Sequence, residues 1–234
     1  MNYFIIPGNP PAVHFYELWG KEIMVRVSGS KVRVSHYPLL EKNSNSEMAM
    51  NEVLAAHREQ LRDFYNETKS PITIIGHSLG GYIGLKIFNE EKVILLHPFL
   101  KRPEKGGQFI LKAVASLYHR EIFQAAIIKN RRFLEYLSKD LPHVTDNEIE
   151  KSFHLAKHES ILMAADITPI HIHPEKRDKV SVFYNRKDTW CTAGVIAELR
   201  KQVKLFECTE PHGFITSENH RQSLFSKILR QFDT

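Results

Sequence analysis

The sequence predicts an α/β fold, a mostly parallel sheet of six strands flanked by helices. Three observations predict it. Short β-branched runs alternate with amphipathic helical patterns, as βαβ crossovers do. One run, "ITIIGHSLGG", passes from a strand pattern through a glycine-guarded serine straight into a helical pattern. The alternation then stops once, between residues 99 and 179, where helical patterns continue without a strand.

Taken in order, the first strand is Tyr3–Ile6. A helix starting near Val13 carries Phe15, Leu18, Trp19 and Ile23 on one face. Lys31–His36 reads as the second strand. A capping box, Ser44-x-x-Glu47, opens a helix with Leu54, Leu61, Phe64 and Tyr65 at helical spacing. Ile72–Ile75 is the third strand, and a helix opens at Leu79. Val93–Leu96, Val180–Tyr184 and Val203–Phe206 complete the six. The last helix carries Leu224, Phe225, Ile228, Leu229 and Phe232. The interruption is bounded by "KRPEKGGQ" and "TPIHIHPEKRDK", two loop-like stretches. It is read as a helical cap, residues 99–179, inserted into a core made of residues 1–98 and 180–234. Insertions at strand C-termini lie over the ligand crevice of an open parallel sheet.

Composition narrows the function classes. The chain has 234 residues and an apolar fraction of 42%, which suits one core with an insertion. No run is long and apolar enough to span a bilayer, and "MNYFIIPGNPP" lacks the pattern of a signal peptide. Cys191 and Cys208 are two cysteines without zinc-site spacing or a disulfide framework. A cytoplasmic setting is therefore expected. The net charge of +5 is mild, and the basic run Lys129–Arg132 lies in a helical pattern without a nucleic-acid motif, so no nucleic-acid partner is expected.

The chemistry centres on Gly76-His77-Ser78-Leu79-Gly80, which matches G-x-S-x-G between a strand and a helix. A serine held at so sharp a turn needs neighbours without bulk, which Gly76 and Gly80 supply. Gly81 and Gly84 extend a small-residue face toward the sheet. The backbone N–H of Leu79 is then a first oxyanion donor. A serine hydroxyl is a weak nucleophile and needs a base, which in turn needs an orienting carboxylate. In this architecture the order is Ser, acid, His. Asp188 follows the strand "VSVFY", and His212 follows the strand "VKLFE". The expected catalytic residues are thus Ser78, Asp188 and His212. The second oxyanion donor should come from the loop after the first strand, "PGNPP". Proline has no N–H, so Asn9 is the best donor.

Other residues invite chemistry less strongly. His171-x-His173 could hold a metal, but no third ligand of clear spacing stands near and flanking prolines read as loop. Cys191 has no base in triad order and reads as a packed thiol. His97, at the end of the fourth strand, either lines the pocket or serves the structure. Trp190 and Phe214 flank the expected acid and base and are read as packing for their loops. No metal or cofactor is expected.

The residues also resemble a known family. "IPGNP" followed by Phe15-Tyr16, "GHSLGGY", "LLHP", "DTWC" and "PHGFI" run from end to end and are similar to the lipid droplet-associated hydrolases, a branch of the α/β-hydrolase fold. The Asn-Pro and Asp-x-Trp-Cys stretches are more specific than the serine motif. The resemblance implies Ser78 as nucleophile, Asp188 as acid and His212 as base. Pro11 and Gly213 stand where the family more often has glycine and, in animals, alanine, and this chain is shorter. The resemblance further implies lipophilic acyl or sterol ester-like substrates and a peripheral lipid-surface contact, at droplets or membranes, through the cap. The expected activity is serine hydrolysis of carboxylic esters through an acyl-enzyme. Two alternatives stay open: an acyl thioesterase, which uses the same triad, and a noncatalytic lipid-binding protein on the same fold.

Overall fold

The computed structural model describes residues 1–9, 12–38, 46–101, 155 and 170–232. Its sheet has six strands: β1 (Asn2–Ile6), β2 (Val32–Val34), β3 (Ile72–His77), β4 (Lys92–Leu96), β5 (Val180–Tyr184) and β6 (Lys204–Glu207). They lie in the order β2-β1-β3-β4-β5-β6, and every neighbouring pair is parallel. The expected strands are all present, most of them with ends shifted by a residue or two.

The five α-helices among the described residues are α1 (Val13–Arg26), α2 (Ser46–Thr68), α3 (Leu79–Ile87), α4 (Ala193–Leu199) and α5 (Glu218–Phe232). α4, capped by the Thr192 side chain accepting from the Val195 N–H, is missed by the sequence reading. Seven residues are too few to declare a helical period. The stretch expected as loop at 174–179 is a 3-10 helix, Pro174–Lys179. Ser44 of the predicted capping box lies outside the described residues. α2 opens at Ser46, with Glu47 in its first turn. Most of the expected cap, residues 102–154 and 156–169, also lies outside them.

Period-2 alternation decides which helices each strand meets. Phe4, Ile6, Ile72, Ile74, Val93, Leu95, Val180 and Val182 face α2, α3 and α4 in one core. Tyr3, Ile5, Ile75, Ile94, Leu96 and Phe183 face α1 and α5 in the other. All five residues of β1 and all six of β3 are buried, as central strands covered on both faces must be. Trp19 of α1 anchors the second core, edge-on to Phe214 and Phe225 at 5.5 and 6.2 Å. Arg221 of α5 ties itself to α1 through both carboxylate oxygens of Glu22.

The strand order also places the site. From β1 the chain runs outward to β2, then returns across β1 to β3 and continues to β6. The direction reverses between β1 and β3, so the loops leaving their C-terminal ends part there and leave a crevice. Ser78 immediately follows β3.

Candidate active site

Ser78 sits between β3 and α3 with φ 53° and ψ −118°, a conformation that costs a non-glycine residue about 1–3 kcal/mol. The surroundings enforce it. The Ser78 N–H donates to the Leu96 carbonyl, and the Ser78 carbonyl accepts from the N–H groups of Gly81 and Phe99, all within 3.0 Å. The turn closes because two neighbours lack side chains. A Cβ on Gly80 would lie 2.2 Å from the Ile6 carbonyl oxygen, and one on Gly76 would lie 2.4 Å from the Gly80 carbonyl oxygen. Gly84 differs, since a Cβ there would meet Ile74 and Val93 at ordinary distances of 3.4 and 3.7 Å. Its expected part in close packing is therefore not required. Leu79 is the first residue of α3, where backbone N–H groups have no intrahelical partner.

Asp188 closes a turn after β5, its N–H donating to the Asn185 carbonyl at 3.0 Å. Its side chain is fully buried. One oxygen accepts from the Trp190 N–H at 2.8 Å and from the Cys191 N–H at 3.3 Å. The other lies 2.8 Å from His212 Nδ1. The far nitrogen of that ring, Nε2, lies 3.0 Å from Ser78 Oγ. With the ring proton on Nδ1 donated to Asp188, Nε2 is the acceptor for the serine hydroxyl. The structure thus brings Ser78, Asp188 and His212, spread over three strand ends, into one hydrogen-bonded line.

The loops that hold this line contain residues that the sequence reading did not single out. The Asn185 amide donates to the carbonyls of Thr209 and Glu210 at 3.1 and 3.0 Å, joining the acid loop to the histidine loop. The Glu210 carboxylate, buried, takes the Lys227 ammonium at 2.8 Å and the Ser223 hydroxyl. His97 is fully buried rather than pocket-lining, and its Nδ1 lies 3.2 Å from the Asp188 oxygen that faces His212. That contact is bent away from good N–H···O alignment. His97 also has φ 46°, a strained value for a residue with a side chain. The only sequence signal for it was a polar residue ending a strand of apolar ones.

Burial alone would raise the Asp188 carboxyl. The hydrogen bond from His212, with a smaller contribution from the poorly aligned His97 contact, outweighs burial and holds it well below the usual carboxylate range. Burial pushes His97 down, with only partial compensation from Asp188. Burial and the neighbouring histidines push His77 well down too. The acid is therefore ionised and both flanking histidines are neutral near pH 7.

Asn9, the expected second oxyanion donor, is half-buried in the loop after β1. His171 and His173 belong to the loop before β5, where His173 is exposed, and no cluster of metal-binding side chains occurs among the described residues. Cys191 and Cys208 are buried free thiols. Burial, with the Asp188 charge beside it, pushes the Cys191 thiol up, which suits a packed residue rather than a nucleophile. Trp190 packs edge-on to Phe99 at 5.7 Å, and Phe214 packs on Trp19 and His77. No described helix is long and apolar enough to cross a membrane.

Solved structures with the same architecture are numerous but distant. An esterase from Exiguobacterium antarcticum is 15% identical, with a TM-score of 0.58, over 100% of this chain and 92% of its own. The 2-hydroxy-6-oxo-6-phenylhexa-2,4-dienoate hydrolase of a Rhodococcus species is 17% identical, with a TM-score of 0.61, over 100% and 90%. A thioesterase of the prodiginine pathway in Streptomyces coelicolor is 14% identical, with a TM-score of 0.58, over 97% and 88%. At these identities the likeness establishes the fold, which is that of the α/β-hydrolases. No curated protein matches the chain. The sequence model of one family matches residues 1–139, more than half of the chain. The protein belongs to the lipid-droplet associated hydrolases.

Proposed function

We propose that the protein hydrolyses carboxylic esters through an acyl-enzyme at Ser78. The observation that carries this reading is the hydrogen-bonded line from Asp188 through His212 to Ser78, with distances of 2.8 and 3.0 Å. Ser78 Oγ attacks the acyl carbon while His212 Nε2 takes its proton. The carbonyl electron pair moves onto oxygen, and the N–H groups of Leu79 and Asn9 stabilise that charge. Collapse of the tetrahedral species expels the alcohol, which leaves with the proton from His212. Water then repeats the sequence on the acyl-enzyme and releases the acid. Asp188 keeps the proton of His212 on Nδ1 and stabilises the imidazolium as it forms. Ser78→Ala should lower kcat on p-nitrophenyl butyrate by about 10⁴-fold or more while leaving the thermal transition in place. A purified Ser78→Ala protein with near wild-type turnover would sink the mechanism, whereas an intact protein without turnover on any acyl ester would leave the noncatalytic alternative. A butyryl thioester offered beside the oxygen ester separates the esterase from the thioesterase reading.

The substrate is proposed to be lipophilic. Family membership supports this, as does the sequence of the 99–179 segment, where Phe109, Ile110, Leu111, Leu117, Ile122 and Phe123 stand among basic residues. Each additional methylene buried is worth about 0.8 kcal/mol. Lengthening the acyl group of a p-nitrophenyl ester from acetyl to octanoyl should therefore raise kcat/KM by more than about tenfold. A steady fall from acetyl upward would leave only a small-ester hydrolase. A peripheral contact with a lipid surface belongs to the same proposal.

A further inference from the structure

The loop after β1 is held from two sides. The Tyr37 hydroxyl donates to the Pro7 carbonyl at 2.8 Å. On the other side, the Gly8 N–H donates to the Tyr16 hydroxyl at 2.9 Å. That hydroxyl lies 2.6 Å from His77 Nδ1. Gly8 is pressed against the serine turn, since a Cβ on it would lie 3.0 Å from Ser78 Cβ and 3.2 Å from His77 Nδ1.

Strand register explains why these groups meet. His77 is the last residue of β3 and has the parity of Ile75, which faces α1. Tyr16 lies one turn into α1 and faces the same core. Tyr16 is 2% exposed and His77 5%, so each polar group must be hydrogen-bonded or costly. A phenol has one hydrogen and can also accept. The Tyr16 oxygen accepts the Gly8 N–H, and its own hydrogen finds an acceptor when His77 Nδ1 is unprotonated. We assign that tautomer, which puts the imidazole proton on Nε2, an atom with no well-placed partner among the described residues. Burial raises the Tyr16 hydroxyl and lowers His77, so both partners stay neutral. A phenylalanine and an aliphatic residue would have filled this space without any polar group to satisfy.

We propose that Tyr16 and His77 are positioning residues for the oxyanion loop. Their buried pair engages the Gly8 N–H and fixes the following peptide, so that the Asn9 N–H faces the oxygen on which charge develops. The inference rests on the ester-hydrolase reading above. No bond at Tyr16 or His77 forms or breaks during turnover. Their effect is felt only when the carbonyl oxygen becomes an anion, so it belongs to kcat rather than to substrate binding.

The test compares Tyr16→Phe, His77→Asn and His77→Leu with the intact protein on p-nitrophenyl butyrate, with butaneboronic acid as a tetrahedral mimic. An asparagine at 77 keeps an acceptor in the place of Nδ1, whereas leucine does not. Tyr16→Phe should lower kcat at least about tenfold, with KM within about threefold. It should weaken boronic acid inhibition by a similar factor. His77→Asn should stay within about threefold of the intact protein, and His77→Leu should fall with Tyr16→Phe. Wild-type kcat and inhibition in Tyr16→Phe would overturn the proposal. If Tyr16→Phe does not fold, the pair at 77 decides, and equal activities of His77→Asn and His77→Leu overturn it. Ser78→Ala keeps the two readings apart. An active Ser78→Ala defeats the reaction itself, whereas an inactive Ser78→Ala beside a fully active Tyr16→Phe defeats the positioning role alone.

Discussion

Among the described residues, every polar neighbour of the Asp188 carboxylate is a donor. The N–H groups of Trp190 and Cys191 face one oxygen, and the Nδ1 atoms of His212 and His97 face the other. An amide of the same shape cannot satisfy this set. Whichever way the amide turned, its NH₂ would meet another donor in a buried site. Asp188→Asn should therefore lower kcat by about 10³–10⁴-fold, because His212 would be driven to the wrong tautomer. Asp178, exposed in the 3-10 helix before β5, is the matched control, and Asp178→Asn should leave kcat unchanged. Steady-state rates on p-nitrophenyl butyrate check both. Equal losses in the two variants would mean that the acid has been misassigned.

At the scale of elements, the β3–α3 junction tolerates different changes at neighbouring glycines. Gly80 faces backbone, the Ile6 carbonyl oxygen at 2.2 Å and the Pro7 carbonyl oxygen at 2.6 Å from a Cβ. Backbone of a central strand cannot step aside without breaking its ladder. Gly80→Ala should thus destabilise the protein by about 3 kcal/mol or more and abolish turnover, because the same shift moves Ser78. Gly84 faces only side-chain methyls at ordinary distances, and alanine is the better helix former by about 1 kcal/mol. Gly84→Ala should keep full activity and a Tm equal to or above that of the intact protein. Thermal melts paired with rates decide. A Gly84→Ala variant as damaged as Gly80→Ala would show that helix α3 cannot move away from the sheet by even a few tenths of an ångström to seat a methyl group.

The whole molecule carries its histidines in a way that shapes its acid sensitivity. His57 of α2 is fully buried, its Nδ1 donating to the Val53 carbonyl at 2.8 Å. Burial pushes it down to about 4, and His77 and His97 move in the same direction. A group whose folded pKa lies below its unfolded one binds fewer protons in the folded state. Stability therefore falls as pH drops through the unfolded value near 6.5 and continues to fall until the folded value is reached. For His57 the loss at pH 5 is about 2 kcal/mol. The carboxylates act lower on the scale. Asp188 and Glu210 are held below their ordinary values, so their contribution is present above about pH 4 and is lost as pH falls further. Tm should drop clearly between about pH 6.5 and pH 5, before these carboxylates are protonated. His57→Gln keeps a donor for Val53 but does not titrate, and should show a shallower drop. An unchanged slope in that variant would remove His57 from the account.

Local and periodic features were legible in the chain alone. β-branched runs marked the strands, helical spacing marked α1, α2 and α5, and the glycines around Ser78 marked a turn too tight for side chains. The chain order of Ser78, Asp188 and His212 at three strand ends could be read for the same reason, since a parallel sheet brings its C-terminal loops to one edge. Which side chains reach one another across that edge became known only from the folded arrangement. Tyr16 and His77 are 61 residues apart, and His97 and Cys208, in contact behind Asp188, are 111 apart. Periodicity assigns each of them to a face of the sheet. It says nothing about which two atoms on that face come within hydrogen-bonding reach, because that depends on strand order, register and the angle at which each helix crosses the sheet. The sharing of Asp188 by two histidines and the tethering of Gly8 through Tyr16 are of this kind.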